Sequence, residues 1–265
     1  MKTFSLFLIL MFAAWFSQSQ NSISRLPAGT PYANPTGYQP ALNDPGEVLV
    51  THSTDQSIVL YNSVACSSSS LHTDNSYFRV FDLANDFGLG TFVIKHVEIG
   101  IETASSATGT QPVELRFYSL DVPMVNPLSS SAYFSFSDLT LLGSQSYTVA
   151  DQSLSIVDFI LTNPIVVPEN TVLVVEFFTP NGQAVGNSLY VGSNPTGAGS
   201  APWTFLAAPD CSVYDAVTTA YLGFPEKNMV MNVYGINSVV PFPYGWVIGI
   251  FVLLALTLII KKRFF

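Results

Sequence analysis

Few residues in this chain of 265 could do chemistry, and their spacing limits what that chemistry could be. There are three histidines, His52, His72 and His96. His72-Thr73-Asp74 follows the serines at 67–70, so a Ser–His–Asp set can be drawn, but no Gly-x-Ser-x-Gly elbow supports it. His96 lies beside Glu98 in an alternating run and is expected to point outward into solvent. Glu98 and Glu102 flank Gly100 on one face of the same run. Four residues of strand span about 13 Å, too far for a retaining glycosidase pair, which needs about 5 Å. Glu176 sits in the most apolar run and requires a cationic partner, Arg116 or Arg79. Asp82, Asn85 and Asp86 could offer oxygens to Ca²⁺, but their spacing fits no EF-hand loop, and an ordinary polar turn is the favoured reading. No HExxH, CxxC or phosphate-binding glycine loop is present. The expectation is no catalytic residue, no bound metal and no cofactor, with Ca²⁺ left open.

For binding, the candidate is 199–221. It holds Trp203, Asp210, Tyr214, Asp215 and Tyr221, aromatics beside carboxylates on loops. Aromatic faces stack on sugar rings while carboxylates accept from hydroxyls. The favoured reading of Trp203 by itself is that it plugs the core near Cys211.

The elements that would position these groups are short and β-rich. Val97, Ile99 and Ile101 alternate with polar residues, as do Val113, Leu115 and Phe117. Runs at 76–82, 155–161, 171–179, 188–193 and 228–236 are similar, broken by Asn163-Pro164, Pro180-Asn181-Gly182 and Asn194-Pro195. No helical period appears in this part. The pattern predicts an all-β antiparallel sandwich, jelly-roll-like, over 47–236, with an immunoglobulin-like sandwich as the other candidate.

Cys66 and Cys211 are the only cysteines. An even pair in an exported protein predicts a disulfide, and closing so long a loop adds about 5 kcal/mol. Export is itself expected. Residues 1–19 have a positive start, an apolar stretch and small residues at Ser17 and Ser19, the pattern of a signal peptide. Residues 20–46 carry prolines every four or five residues from Pro27 to Pro45, a spacing expected to resist pairing and act as a linker. Within 237–265 the chain has no charge from Tyr244 to Ile260, near the lower limit of about 17–25 residues for a membrane helix. Lys261, Lys262 and Arg263 follow, which places the C-terminus in the cytoplasm and the rest outside.

Excluding the ends, five basic residues (Arg25, Arg79, Lys95, Arg116, Lys227) face 18 acids. Nucleic acid is excluded, because binding it requires Lys and Arg on phosphates. No Asn-x-Ser/Thr acceptor occurs, in keeping with a bacterial source.

The tail, with Val240, Pro241, Pro243, Gly245 and Trp246 ahead of the apolar run and the basic triplet 261–263, resembles exosortase-type sorting signals of the PEP-CTERM and IPTL-CTERM classes. It looks more like the Ile-Pro-x-x-x-Trp-Gly flavour, with the Trp and Gly order swapped. That resemblance implies a sorting enzyme as partner; a plain anchor is the other reading. The runs at 76–83, 97–102, 111–113, 207–211, 223–225 and 229–233 resemble an accessory β domain of secreted bacterial proteins. It implies no reaction and no catalytic residues. The expected function is therefore a non-enzymatic envelope protein displaying a sandwich for adhesion or for contact with glycan, matrix or envelope protein. A jelly-roll glycan-active hydrolase is the alternative.

Overall fold

The computed structural model describes residues 21–25, 33–34, 42, 44–54, 56–125, 129–194 and 204–238. The expected signal peptide, the membrane helix, the sorting motif and Trp203 lie outside the described residues. Among the described residues, no helix is long and apolar enough to cross a membrane.

The strands are β1 (Ser22–Arg25), β2 (Ala33–Asn34), β3 (Glu47–Thr51), β4 (Ile58–Val59), β5 (Val64–Ser68), β6 (Leu71–His72), β7 (Asn75–Asp82), β8 (Thr91–Ser105), β9 (Thr110–Leu120), β10 (Tyr133–Phe134), β11 (Leu139–Ala150), β12 (Gln152–Val167), β13 (Val172–Thr179), β14 (Ser188–Val191), β15 (Ser193–Asn194), β16 (Phe205–Ala208), β17 (Val213–Thr218), β18 (Asn228–Met229) and β19 (Met231–Ser238). One sheet runs β10-β17-β16-β7-β13-β9-β11 and the other β12-β8-β19-β3, with β14 also on β8. Every pairing in the two sheets is antiparallel. The expected all-β antiparallel sandwich is the fold.

The period-two pattern explains the core. Phe92, Ile94, Val97, Ile99 and Ile101 of β8 meet Leu115 and Phe117 of β9 and Leu173, Val175 and Phe177 of β13 between the sheets. Removing apolar surface from water at about 25 cal/mol per Å² makes this layer the main stabilising element. A second, smaller cluster of Phe78, Val80, Phe134, Val174 and Phe205 covers the outer face of the larger sheet.

Alternation predicted which residues share a face, but it did not predict what lies over that face. His96, Glu98 and Glu102 do alternate with core residues, yet all three are buried, not solvated. The segment after β3 folds across them. Ile58 packs near Gly100, and Gln56 exchanges hydrogen bonds with Asn232, whose Nδ2 also donates to Glu98 (2.8 Å).

Two further expectations are corrected. Ser22–Arg25, in the Pro-rich stretch, pairs with β5, and Ala33–Asn34 pairs with β4. Prolines begin only at Pro27, so 22–25 keeps every N–H that pairing needs. Asn163-Pro164 does not end a strand. β12 runs through it with a register shift between Ile160 and Ile165, on the sheet edge where proline's missing N–H is tolerated.

The ladders also define two poles. Glu47 opposes Ile236, and Ser238 opposes Thr91, at one end. At the other end Ser105 opposes Ser188 and Asn75 opposes Thr179. The chain therefore leaves the sandwich toward 239–265 at the first pole.

Candidate functional site

The second pole is stapled by the disulfide. Cys66 of β5 bonds Cys211, 145 residues later, with Cα atoms 5.9 Å apart. Cys66 is fully buried. Its backbone is held by Asn75, whose side-chain oxygen accepts from the Cys66 N–H (2.7 Å) and whose Nδ2 donates to the Cys66 carbonyl (3.2 Å). On the other half, Pro209–Cys211 forms a single 3₁₀ turn, with Ser212 in the left-handed region at φ 62°. That tight reversal leaves Pro209 and Asp210 exposed.

Asp210 is the best-connected of the expected binding residues. Its Oδ2 accepts from Asn181 Nδ2 at 3.0 Å, and its charge acts on the Asp74 carboxyl. Partial burial first, and the Asp210 charge second, push the Asp74 carboxyl above its usual range. Tyr214 and Asp215 are exposed on β17, close to the same pole. As successive strand residues they project to opposite faces. Tyr221 is exposed in the turn after β17, away from Asp210.

Sequence reasoning missed Asp74 and Asn181 as neighbours of Asp210. The signal was present for Asp74. A Cys66–Cys211 bridge must carry residue 210 to the segment just beyond Cys66.

Two of the histidines, His72 and His96, are buried in the sandwich. His72 is buried; its Nε2 lies 3.1 Å from the Pro180 carbonyl and its Nδ1 has no hydrogen-bond partner. Burial lowers its pKa. His96 lies between Glu47 (3.2 Å) and Asp158 (2.7 Å) and stacks on Tyr234 at 4.2 Å. Tyr234 in turn donates to Glu98 (2.6 Å). Buried except at Asp158, which is exposed, this row ties β12, β8, β19 and β3 together.

The Asp82 carboxylate is occupied by Asn85, through its N–H (3.1 Å) and Nδ2 (2.8 Å), as in a polar turn. Among the described residues, no three His, Cys, Asp or Glu side chains group as metal ligands.

No protein-family model matches the chain, and comparison with curated proteins finds no relative. Among solved structures, the chain is similar to the cysteine protease and lectin-like domains of Cwp84, a surface layer associated protein of Clostridium difficile. The identity is 13% and the TM-score 0.47, over 75% of this chain and 37% of that one.

Proposed function

We propose that the protein is a non-enzymatic, exported cell-envelope protein whose jelly-roll-like sandwich is held at its C-terminal pole and presents the opposite, disulfide-stapled pole. The observation that carries this reading is the polarity of the fold. The exit toward 239–265 lies beside Glu47 and Thr91, and the exposed Asp210, Asn181 and Tyr214 lie at the far end. A disulfide between distant segments favours an oxidising compartment outside the cytoplasm. The segment 239–265 acts as membrane anchor or as an exosortase-type sorting signal, with its basic triplet inside. Carboxylates and an exposed tyrosine suit hydroxyl-rich ligands, so glycan or matrix is the proposed contact.

Two measurements test it. The intact mass of protein recovered from its native envelope should end near 241–243 if sorting occurs, or at Phe265 for a plain anchor. A soluble cytoplasmic product with its N-terminal 19 residues retained would overturn export. Binding to a glycan array should fall at least about tenfold in Tyr214→Ala or Asp210→Ala. Unchanged binding in both variants would remove this pole from the function.

A further inference from the structure

The turn that opens β3 holds the only Asp-Pro step in the chain, Asp44-Pro45. An X–Pro bond is a tertiary amide. Its nitrogen takes up a proton more readily than an ordinary peptide nitrogen and leaves as a secondary amine. On the acyl side, an aspartate carries its own nucleophile. A side-chain oxygen reaches the carbonyl carbon of the same residue by closing a five-membered ring, and carboxylates do act as nucleophiles in covalent catalysis.

The fold supplies the remaining requirement, a donor on the carbonyl under attack. The Asp44 carbonyl accepts from the Glu47 N–H at 3.1 Å. The Asp44 N–H in turn donates to Glu47 Oε2 at 3.3 Å, so both backbone groups of Asp44 are held by one residue. Between them Pro45 fixes its own φ and Gly46 adopts a φ of 83°, which a turn of this kind asks of glycine. Glu47 is anchored below the turn. It is 5% exposed, its Oε1 lies 3.2 Å from His96 Nε2, and His96 Nδ1 lies 2.7 Å from Asp158. Its backbone opposes Ile236 in the β3–β19 ladder. Asp44, Pro45 and Gly46 are exposed above it. A buried brace therefore positions the carbonyl and its donor, while the carboxyl and the departing nitrogen stay open to water.

We propose that the Asp44–Pro45 bond cleaves itself. A side-chain oxygen of Asp44 adds to the Asp44 carbonyl carbon, and the Glu47 N–H stabilises the oxyanion that forms. The bond from that carbon to the Pro45 nitrogen then breaks. The nitrogen leaves with the proton that the Asp44 carboxyl gave up, passed through solvent, and a cyclic anhydride remains. Water opens the anhydride, so Asp44 becomes a C-terminal residue with both carboxyls free. Only water is consumed. Both cysteines lie beyond the cut, so no disulfide joins the two pieces. The upstream piece is then held through β1 on β5 and β2 on β4, by strand pairing instead of by the chain.

The test uses the full-length protein, recovered from its envelope at neutral pH and then held at about pH 5. Samples taken over time are denatured and read by intact mass and N-terminal sequencing. The expected result is a piece beginning at Pro45. It should form faster as pH falls, because the leaving nitrogen needs a proton, and at a rate independent of protein concentration. A chain that stays whole would overturn the proposal, as would a rate that grows with protein concentration. Asp44→Ala keeps the backbone of the turn and should stay uncut; cleavage there at the parent rate would overturn Asp44 as the nucleophile. In urea strong enough to unfold the sandwich, loss of the Glu47 donor should slow the cut roughly a hundredfold. An equal rate in folded and unfolded chains would overturn the role of the fold and leave only the acid lability of the sequence.

Discussion

Arg116 and Glu176 sit on neighbouring strands with Nη1 3.3 Å from Oε1, and the carboxylate is fully buried while the guanidinium is not. Arg116 also binds Glu114 (2.7 Å) and lies 4.1 Å above the Phe178 ring, and Tyr118 donates to Glu176 (2.7 Å). The cation covers the acid like a lid. Arg116→Ala strips that cover and leaves a buried charge, so it should cost about 3 kcal/mol. Glu176→Gln keeps the shape and should cost much less. Urea denaturation of the two variants checks the order.

The Cys66–Cys211 bridge closes a loop of 145 residues. Replacing both cysteines by serine should lower stability by about 5 kcal/mol. Guanidinium melts of the oxidised protein and the variant should differ mainly in midpoint. A midpoint unchanged within error would show that the bridge constrains little.

His52 stacks on Phe81 at 4.9 Å, and its Nε2 lies 3.1 Å from the Val80 carbonyl. Burial first and Arg79 second lower its pKa from 6.5 to about 4. Between those values the unfolded chain binds a proton that the folded one refuses, so stability falls as pH drops from 6.5 toward 4. The loss attributable to His52 is up to about 3 kcal/mol. In His52→Phe, the acid slope of thermal melts over that window should flatten.

Asp74 behaves with the opposite sign. Its pKa is raised, so the folded state binds its proton more tightly and the stabilisation fades as pH rises above 3.8. Asp210→Asn removes the facing charge and should raise the melting temperature at pH 7. The gain should shrink at low pH, where the Asp74 carboxyl takes up its proton. Paired melts at the two pH values test this.

Gln145 of β11 reaches the edge of β12. Its Oε1 accepts from the Thr162 N–H and its Nε2 donates to the Asn163 carbonyl, both at 2.8 Å, while Tyr147 donates to the Ile160 carbonyl (3.0 Å). These side chains occupy backbone groups that would otherwise template another strand, beside the exposed Ile160 and Val166. Gln145→Ala should lower stability by no more than about 1 kcal/mol and yet increase self-association. Light scattering at high protein concentration reads the difference.

The sandwich was legible because its core strands obey a two-residue period and its turns carry Pro, Gly and Asn. The partner of Glu176 was legible too, since a lone acid in TVLVVEFFT demands a cation, and Arg116 supplies it. Arg79 was the other candidate; it sits on the opposite face and donates instead to the Met229 carbonyl (2.9 Å). The burial of His96, Glu98 and Glu102 was not legible. Alternation describes one strand, whereas the cover comes from residues 52–63, which have no period at all. The polar pole was legible in half. Asp210, Tyr214 and Asp215 stand out as exposed groups near a cysteine, but the contact of Asp210 with Asp74 and Asn181 depends on a disulfide and a turn that bring distant segments together.

The position of β19 has a mechanical consequence. It ends at Ser238 at the pole marked by Glu47 and Thr91 and is hydrogen-bonded along its length, to β8 on one side and to β3 over 232–236 on the other. A pull between a ligand gripped at the far pole and a C-terminal tether would run along the strands, not across them. Both ladders would then be strained in shear, with their hydrogen bonds resisting together instead of unzipping one by one. Under flow, the lifetime of the fold would be set by the barrier to that concerted rupture, not by the equilibrium stability measured at rest.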